Sequence, residues 1–179
     1  YRSFTGYFPI VQRHGMTVGE LALLFNTEYG IRCDLTVIPM TGWNRETYFD
    51  ELPLIWVPPS PNIPSPQTAL VYAGVCLFEG TNLSVGRGTA MPFQYLGAPY
   101  IDAYRLAEQL NRLGLAGVRF LPAVFTPSLS LYTGQLCGGV QIAVTDRRSF
   151  SPVKTTVAMF YELKRLYPEK FMINNAGKK

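Results

Sequence analysis

Helix-like and strand-like patterns alternate along this chain, and the alternation limits the possible folds more than any other feature. Thr17 and Glu20 have capping-box spacing, apolar residues follow at the helical period, and Gly30 is a natural stop for a first helix. Further helices are predicted over 66–77, over 101–113 and from Ser151-Pro152 to just before Pro168, and strands over 33–39, 117–125 and 139–145. The pattern predicts an α/β or α+β domain in which about four helices flank a mixed sheet.

A Pro-rich segment separates the first of these elements from the rest. Six prolines lie between residues 53 and 66, which predicts an extended, irregular loop. Apolar residues 54–57 lie within it, so we expect the loop to pack on its own domain rather than to serve as a ligand of another protein. Ser65-Pro66 is a good start for the next helix, although Val71, Tyr72 and Val75 leave a buried strand over 69–78 open.

Composition places the chain among folded globular proteins. Its 179 residues are enough for one domain with a full core, and we expect residues 1–179 to form a single compact unit. Hydrophobic residues make up 47% and charged residues 16%, which excludes a disordered chain. The net charge of +4 is scattered, which does not indicate a nucleic-acid partner, and no apolar run is long enough to predict a membrane span.

The sequence from Glu79 to Gly88 is the strongest candidate for a functional loop. An apolar run over 69–78 stops at Glu79, and polar or glycine residues, Arg87 among them, fill most of the next nine positions. Polar groups at the rim of a rigid element are typical of binding and catalytic sites. A polar turn with a surface ion pair between Glu79 and Arg87 explains the same residues, and both interpretations remain open.

The sequence does not predict a metal or nucleotide cofactor. His14 is the only histidine, and a lone histidine is more often a structural hydrogen-bonding residue than a catalyst. Cys33, Cys76 and Cys137 form no CxxC pair, and their pairing state stays open. No phosphate-binding loop is present either.

Several segments resemble the exo-β-N-acetylmuramidase family, and the resemblance extends from about Phe4 to Phe171. They are RHGMTVGELA (13–22), VPPSPN (57–62), TALVYAGVCLFEGTNLSVGRGT (68–89), FQYLGAPYID (93–102), GVRFLP (117–122) and CGGVQIAVTDRRSFSPV (137–153). The resemblance implies a glycoside hydrolase that removes N-acetylmuramic acid from the non-reducing end of peptidoglycan fragments. It also implies a Rossmann-like N-terminal domain and a smaller C-terminal domain, with the active site in the cleft between them.

The resemblance and the chemistry of the reaction together suggest the residues of a site. Glycoside hydrolysis usually needs a carboxylic acid for the leaving oxygen, and Glu79 is the best-placed acidic residue, with His14 as a second catalytic candidate. A guanidinium suits the lactyl carboxylate of N-acetylmuramic acid, which makes Arg87 the first candidate and Arg13 the second. The other predicted substrate contacts are Asn62, Thr81 and Asn82 by hydrogen bonding and Trp43 by stacking on the sugar.

The chain departs from the family pattern at Val85, where many members have Glu, so a second carboxylate is absent from this loop. Non-catalytic binding of cell-wall glycan is therefore the alternative function. Family members are also longer than this chain, so we expect it to be an incomplete portion of a two-domain protein. Such a portion would expose an apolar face, for which Tyr1, Phe4, Tyr7, Phe8 and the loop around Trp56 are candidates, and it would self-associate.

The expected partner is a peptidoglycan-derived muropeptide or disaccharide. The expected location, for a bacterial enzyme of this kind, is the periplasm or the outside of the cell.

Overall fold

The computed structural model describes residues 6–11 and 14–173. Four α-helices and three strands follow one another along the chain: α1 (Val18–Glu28), α2 (Pro66–Val75), β1 (Tyr95–Ala98), α3 (Ala103–Arg112), β2 (Val118–Phe125), β3 (Cys137–Val144) and α4 (Pro152–Leu166). Short 3₁₀ helices lie at Phe49–Glu51 and Cys76–Gly80. The predicted mixture of helices and strands, with four helices, is confirmed.

The structure divides into two compact units, residues 1–54 and residues 55–179, where the sequence predicts one. The boundary falls at the start of the Pro-rich segment. Proline there removes backbone donors and fixes φ, so no regular element crosses from one unit into the other. The two units are described separately below.

In the first unit, α1 begins at the predicted capping box. The Thr17 hydroxyl accepts a hydrogen bond from the Glu20 amide at 3.2 Å, and the Glu20 carboxylate accepts one from the Thr17 amide at 2.8 Å. Arg45 also pairs with Glu20 at 2.6 Å. The hydrogen bond from Arg45, helped by the one from the Thr17 amide, lowers the pKa of Glu20 to about 2. The predicted stop is confirmed as well, since Gly30 follows the helix with φ +66°.

The strand predicted over 33–39 is wrong, because these residues have no regular structure. The Asn26 side chain bonds both backbone groups of Cys33, at 2.8 Å to the amide and 3.0 Å to the carbonyl oxygen. These are the groups that a strand would offer to a neighbour. None of the described residues up to 54 is buried, so this unit has no core of its own.

In the second unit, the three strands form an antiparallel sheet in the order β1-β3-β2. Leu96 of β1 lies opposite Val140 of the central strand, and Phe120 of β2 lies opposite Ile142. The predictions of β2 and β3 are confirmed, while β1 was not predicted. All described strand pairs are antiparallel, so the sheet is not mixed, and the Rossmann-like expectation, which needs parallel strands joined by helices, is not confirmed.

Helices α2, α3 and α4 and the sheet enclose one apolar core. Val71, Leu106, Leu110, Ile142 and Met159 are fully buried in it. The helical alternative for residues 66–75 is therefore the correct one, and the strand over 69–78 is wrong.

The loop before α2 packs on this core, as predicted. The Trp56 ring is half-buried against it, and its indole N–H donates to the Ile63 carbonyl oxygen at 3.1 Å. The neighbouring Ile55 and Val57 remain exposed. No helix among the described residues has the length and apolar character needed to cross a bilayer.

Candidate functional site

Glu79 stands on a rigid element at the end of α2. The 3₁₀ helix Cys76–Gly80 continues directly from α2, and Phe78 within it is completely buried. The Phe78 ring stacks on Phe160 with ring centroids 4.3 Å apart. Because its neighbour is fixed in the core, the exposed carboxylate of Glu79 is held at a defined place on the surface.

Arg87 forms an ion pair with Glu79. Its Nε and Nη2 atoms both donate to Glu79 Oε1, at 3.0 and 2.7 Å. The side chains keep 40% (Glu79) and 29% (Arg87) of their surface exposed. Glu79 Oε2 has no hydrogen-bond partner among the residues that the structure describes. The predicted proximity of the two residues is therefore confirmed, in a geometry that a surface ion pair would share.

Two glycines set the path of the chain around Arg87. Gly86 and Gly88 have φ of +73° and +76°, a region that other residues rarely adopt. A Cβ on Gly88 would also lie 2.4 Å from the Leu129 amide nitrogen. The Gly88 carbonyl oxygen accepts hydrogen bonds from the amide and the hydroxyl of Ser128, at 3.0 and 2.8 Å. These contacts fix the backbone on the C-terminal side of Arg87.

Thr81 and Asn82 are used by the fold itself. The Thr81 hydroxyl is buried, donates to the Phe78 carbonyl oxygen at 2.7 Å and accepts from the Leu83 amide at 3.2 Å. The Asn82 side chain donates to the Lys170 carbonyl oxygen at 2.8 Å and accepts from the Met172 amide at 2.9 Å. Both polar groups are thus engaged in holding the loop, which does not favour their predicted contact with a sugar.

Val85 lies in the core, with 6% of its surface exposed. Its carbonyl oxygen accepts a hydrogen bond from the Phe93 amide at 2.7 Å. The position at which the resemblance leads us to expect Glu in many family members is therefore buried in this chain.

Two residues that the sequence did not suggest complete the surroundings of the ion pair. The Arg87 guanidinium carbon lies 4.9 Å from the centroid of the buried Phe93 ring. Tyr72 packs on the same ring in a T-shaped arrangement, with centroids 4.7 Å apart. Burial is the main cause that raises the pKa of Tyr72; Cys76 and the charge of Glu79 add to it, and Arg87 opposes it.

Comparison with known proteins places the chain in a family. Residues 70–179 match the family described as exo-β-N-acetylmuramidase NamZ, C-terminal, and residues 1–67 match its N-terminal counterpart. The chain belongs to the NamZ family. Peptidoglycan β-N-acetylmuramidase NamZ of Bacillus subtilis (strain 168) is 49% identical to it over 177 residues, which cover 99% of this chain and 43% of that protein.

Two solved structures have the same fold. Both are DUF1343 family proteins of Bacteroides fragilis NCTC 9343. One is 35% identical with a TM-score of 0.89 and covers 94% of this chain, and the other is 31% identical with a TM-score of 0.62 and covers 99%. This NamZ-family chain spans 45% of each solved chain, so it corresponds to less than half the length of the relatives that it matches.

The remaining predicted site residues are described here each within its own unit. His14 is in the first unit, where its Nδ1 accepts a hydrogen bond from the Met16 amide at 3.0 Å. Trp43, in the same unit, is 39% exposed, and the Arg45 guanidinium carbon lies 4.9 Å from its ring centroid.

Asn62 and Arg13 complete the predicted set. Asn62 is half-buried in the Pro-rich loop of the second unit, with its amide 3.4 Å from the Ser60 hydroxyl. Arg13 lies outside the described residues. The roles of His14, Trp43, Asn62 and Arg13 in this NamZ-family chain stay predictions.

A cavity of about 290 Å³ lies away from these residues. The end of α3 and the start of β2 line it, with Leu110, Asn111 and Arg119 among the lining residues and none of the predicted site residues. The Asn111 side chain donates to the Phe120 carbonyl oxygen at 2.7 Å and accepts from the Phe120 amide at 3.0 Å, so its polar atoms are already bonded within the fold.

The cysteines and acidic residues give no sign of a metal centre in the described part of the chain. No group of three or more metal-ligating side chains is found there. No disulfide involves Cys33, Cys76 or Cys137 in the described part of the chain, and burial raises the pKa of Cys137. The expectation that no cofactor is needed stays a prediction.

Proposed function

We propose that this chain acts in an exo-β-N-acetylmuramidase, which hydrolyses the bond that links N-acetylmuramic acid to the non-reducing end of a peptidoglycan fragment. Membership of the NamZ family supports this activity, and so does the activity for which the Bacillus subtilis relative is named. The observation that carries the proposal within the structure is the Glu79–Arg87 pair, in which one carboxylate oxygen is bound and the other is open.

Glu79 is proposed to handle the proton of the reaction. A glycosidic bond breaks when a carboxylic acid protonates the leaving oxygen, and a water then adds to the sugar with help from a base. The open Oε2 of Glu79 can exchange a proton with a substrate atom, while the two hydrogen bonds of Arg87 hold Oε1 still. A catalytic group gains from such fixed geometry because little reorganisation is then needed during the reaction.

Arg87 is proposed to bind the lactyl carboxylate of the sugar. A guanidinium has five N–H donors, and the hydrogen bonds to Glu79 use one on Nε and one on Nη2. Three donors therefore remain for a substrate. A planar donor set of this kind recognises carboxylates in two-point geometry, which distinguishes N-acetylmuramic acid from N-acetylglucosamine.

The rest of the site is a proposal that rests on the family resemblance. His14 is proposed to be a second catalytic group, and Asn62, Trp43 and Arg13 are proposed to contact the sugar, while Thr81 and Asn82 support the loop. Location in the bacterial periplasm or outside the cell is proposed on the same ground. Self-association through an apolar face is proposed because that face would normally pack on the rest of a longer protein.

The burial of Val85 favours a second candidate function. With no second carboxylate in the loop, the chain could hold a cell-wall glycan without cleaving it. Catalysis then requires that the partner group of Glu79 come from another part of the protein.

Product analysis separates these functions. The full-length protein is incubated with the disaccharide N-acetylmuramyl-β-1,4-N-acetylglucosamine and, as a matched control, with the disaccharide in which the two sugars are exchanged. We expect free N-acetylmuramic acid from the first and no release from the second. Binding of the first disaccharide without release would support the glycan-binding function, and equal cleavage of both would contradict the exo-acting specificity.

A further inference from the structure

Tyr72 lies on α2, and Glu79 lies on the 3₁₀ helix that continues directly from α2. Tyr72, Cys76 and Glu79 follow one another at spacings of four and three residues, which is the spacing of one helix face. Tyr72 is 38% exposed, Cys76 is half-buried and Glu79 is exposed. An aromatic side chain and the candidate catalytic group thus emerge from the same surface.

Phe93 connects Tyr72 to Arg87. The Tyr72 ring and the Arg87 guanidinium carbon both lie within 5 Å of the Phe93 ring centroid, at 4.7 and 4.9 Å. Phe93 is 1% exposed, and its φ of +60° is unusual for a bulky residue. Because the surrounding core holds Phe93 in this conformation, its ring is fixed in place. The guanidinium and the phenol both pack on this ring, which fixes them relative to each other.

The hydroxyl of Tyr72 is not used by the fold. It has no hydrogen-bond partner among the described residues, although Tyr100, Tyr132 and Tyr167 all use theirs within the chain. A phenol that is half-exposed, fixed by its ring and unpaired at its hydroxyl is a ready hydrogen-bond donor.

We propose that Tyr72 is a substrate-positioning residue whose hydroxyl donates a hydrogen bond to the carboxylate of an acidic amino sugar, beside the guanidinium of Arg87. This inference rests on the proposed function, because it takes the Glu79–Arg87 pair as the place where the sugar binds. It adds a second donor to carboxylate recognition and makes Tyr72 a determinant of specificity rather than of proton transfer.

The test removes the hydroxyl of Tyr72. Y72F in the full-length protein removes the hydroxyl and keeps the ring contact with Phe93, so the fold is preserved. Y104F is the matched control, because Tyr104 is 76% exposed on α3. The substrates are N-acetylmuramyl-β-1,4-N-acetylglucosamine and the same disaccharide with its lactyl carboxylate converted to an amide.

For the acidic disaccharide, we expect Y72F to raise KM about tenfold or more while kcat changes little, since a hydrogen bond to a charged group is lost. KM for the amide should rise much less, and Y104F should leave both values unchanged. An unchanged KM, an equal rise for both substrates or a fall confined to kcat would each overturn the inference.

Binding of free N-acetylmuramic acid, measured by calorimetry, separates this inference from the proposed function. If the wild-type protein binds the sugar but releases none from the disaccharide, the proposed hydrolase is wrong. A tenfold weaker binding by Y72F still supports the role of Tyr72, and equal binding overturns it. If the wild-type protein does not bind the sugar at all, both the inference and the carboxylate-binding role of Arg87 are wrong.

Discussion

At the scale of single residues, we expect the Glu79–Arg87 pair to matter more for ligand binding than for the free energy of unfolding. Both side chains are partly exposed, and ion pairs in contact with water contribute about 0 to 1 kcal/mol to the free energy of unfolding. The Arg87 guanidinium packs on Phe93 as well, which adds a contribution of similar size. A substitution in this pair should therefore change KM much more than it changes the free energy of unfolding.

Replacement of Arg87 by lysine tests this difference. Lysine keeps the positive charge and loses the planar set of donors, so R87K should raise KM for N-acetylmuramyl-N-acetylglucosamine about tenfold or more. The free energy of unfolding, measured by urea denaturation, should fall by no more than about 1 to 2 kcal/mol. R112K is the control, because Arg112 pairs with Glu108 on the exposed side of α3. A KM that stays at the wild-type value would contradict the proposed role of Arg87.

The sequence predicts residues that act locally better than residues with distant partners. The proximity of Glu79 and Arg87 follows from their separation of eight residues and the turn between them. The structural use of Asn82 could not be predicted, because its partners Lys170 and Met172 lie 88 and 90 residues away. Tyr72 belongs to the apolar run over 69–78, and only its spacing to Glu79 signals that the two side chains share a helix face.

At the scale of elements, helix boundaries follow from local chemistry, and strands depend on their neighbours. The capping box of α1 and the Ser-Pro start of α2 are contained in a few consecutive residues, so both could be predicted. The pattern at 33–39 is strand-like but has no strand beside it. β1 is four residues long and includes Gly97, so its signal is weak although the strand pairs with β3.

Helix α4 buries some polar residues and exposes some apolar ones. The sequence of α4 places the apolar residues Val153, Val157, Phe160 and Tyr161 at helical spacing, yet Val157 and Tyr161 are exposed, while Thr155, Thr156 and Glu162 are buried. At Thr156 the reason is the close approach of α2, because a Cβ on Gly74 would lie 2.2 Å from the Pro152 carbonyl oxygen and 2.6 Å from the Thr156 hydroxyl. A small side chain such as that of Thr156 fits beside Gly74, where the two helices are closest.

Asn82 fastens the segment after α4 to the functional loop, and its removal should loosen both. Its side chain bonds Lys170 and Met172 and also accepts from the Tyr100 hydroxyl at 3.2 Å. N82A leaves these groups without their partner, so we expect the free energy of unfolding to fall by about 1 to 3 kcal/mol. Urea denaturation checks this, with Q135A as an exposed control. If N82A lowers the free energy of unfolding no more than Q135A does, water replaces the hydrogen bonds of the Asn82 side chain without loss of stability.

At the scale of the whole molecule, composition predicts a folded chain but not how burial is distributed along it. The core residues all lie in the second unit, from Ile63 onwards. None of the described residues up to 54 is buried. Even the apolar residues Val11, Val18 and Ile38 are largely exposed. Hydrophobic burial, the main stabilising term of folding, therefore supports one unit much more than the other.

Hydrogen exchange should reveal this difference in the 179-residue chain. α1 has its capping box but no buried residue, whereas α2 and α4 have four and six buried residues. We expect the amides of α1 to exchange orders of magnitude faster than those of α2 and α4, since local opening there exposes little apolar surface. Equal protection of α1 and α4, measured by mass spectrometry, would contradict this picture.

The central claim is that Glu79 belongs to the catalytic site of a muramidase, and the turnover of Glu79→Gln in the full-length protein tests it most directly. Glutamine keeps the acceptor that Arg87 binds and cannot donate the proton that the leaving oxygen needs. Glu108→Gln is the matched control, because Glu108 is an exposed carboxylate paired with Arg112 on α3. Release of N-acetylmuramic acid should slow about 10²- to 10⁴-fold in Glu79→Gln, and it should stay at the wild-type rate in Glu108→Gln. Turnover by Glu79→Gln at the wild-type rate would contradict the account.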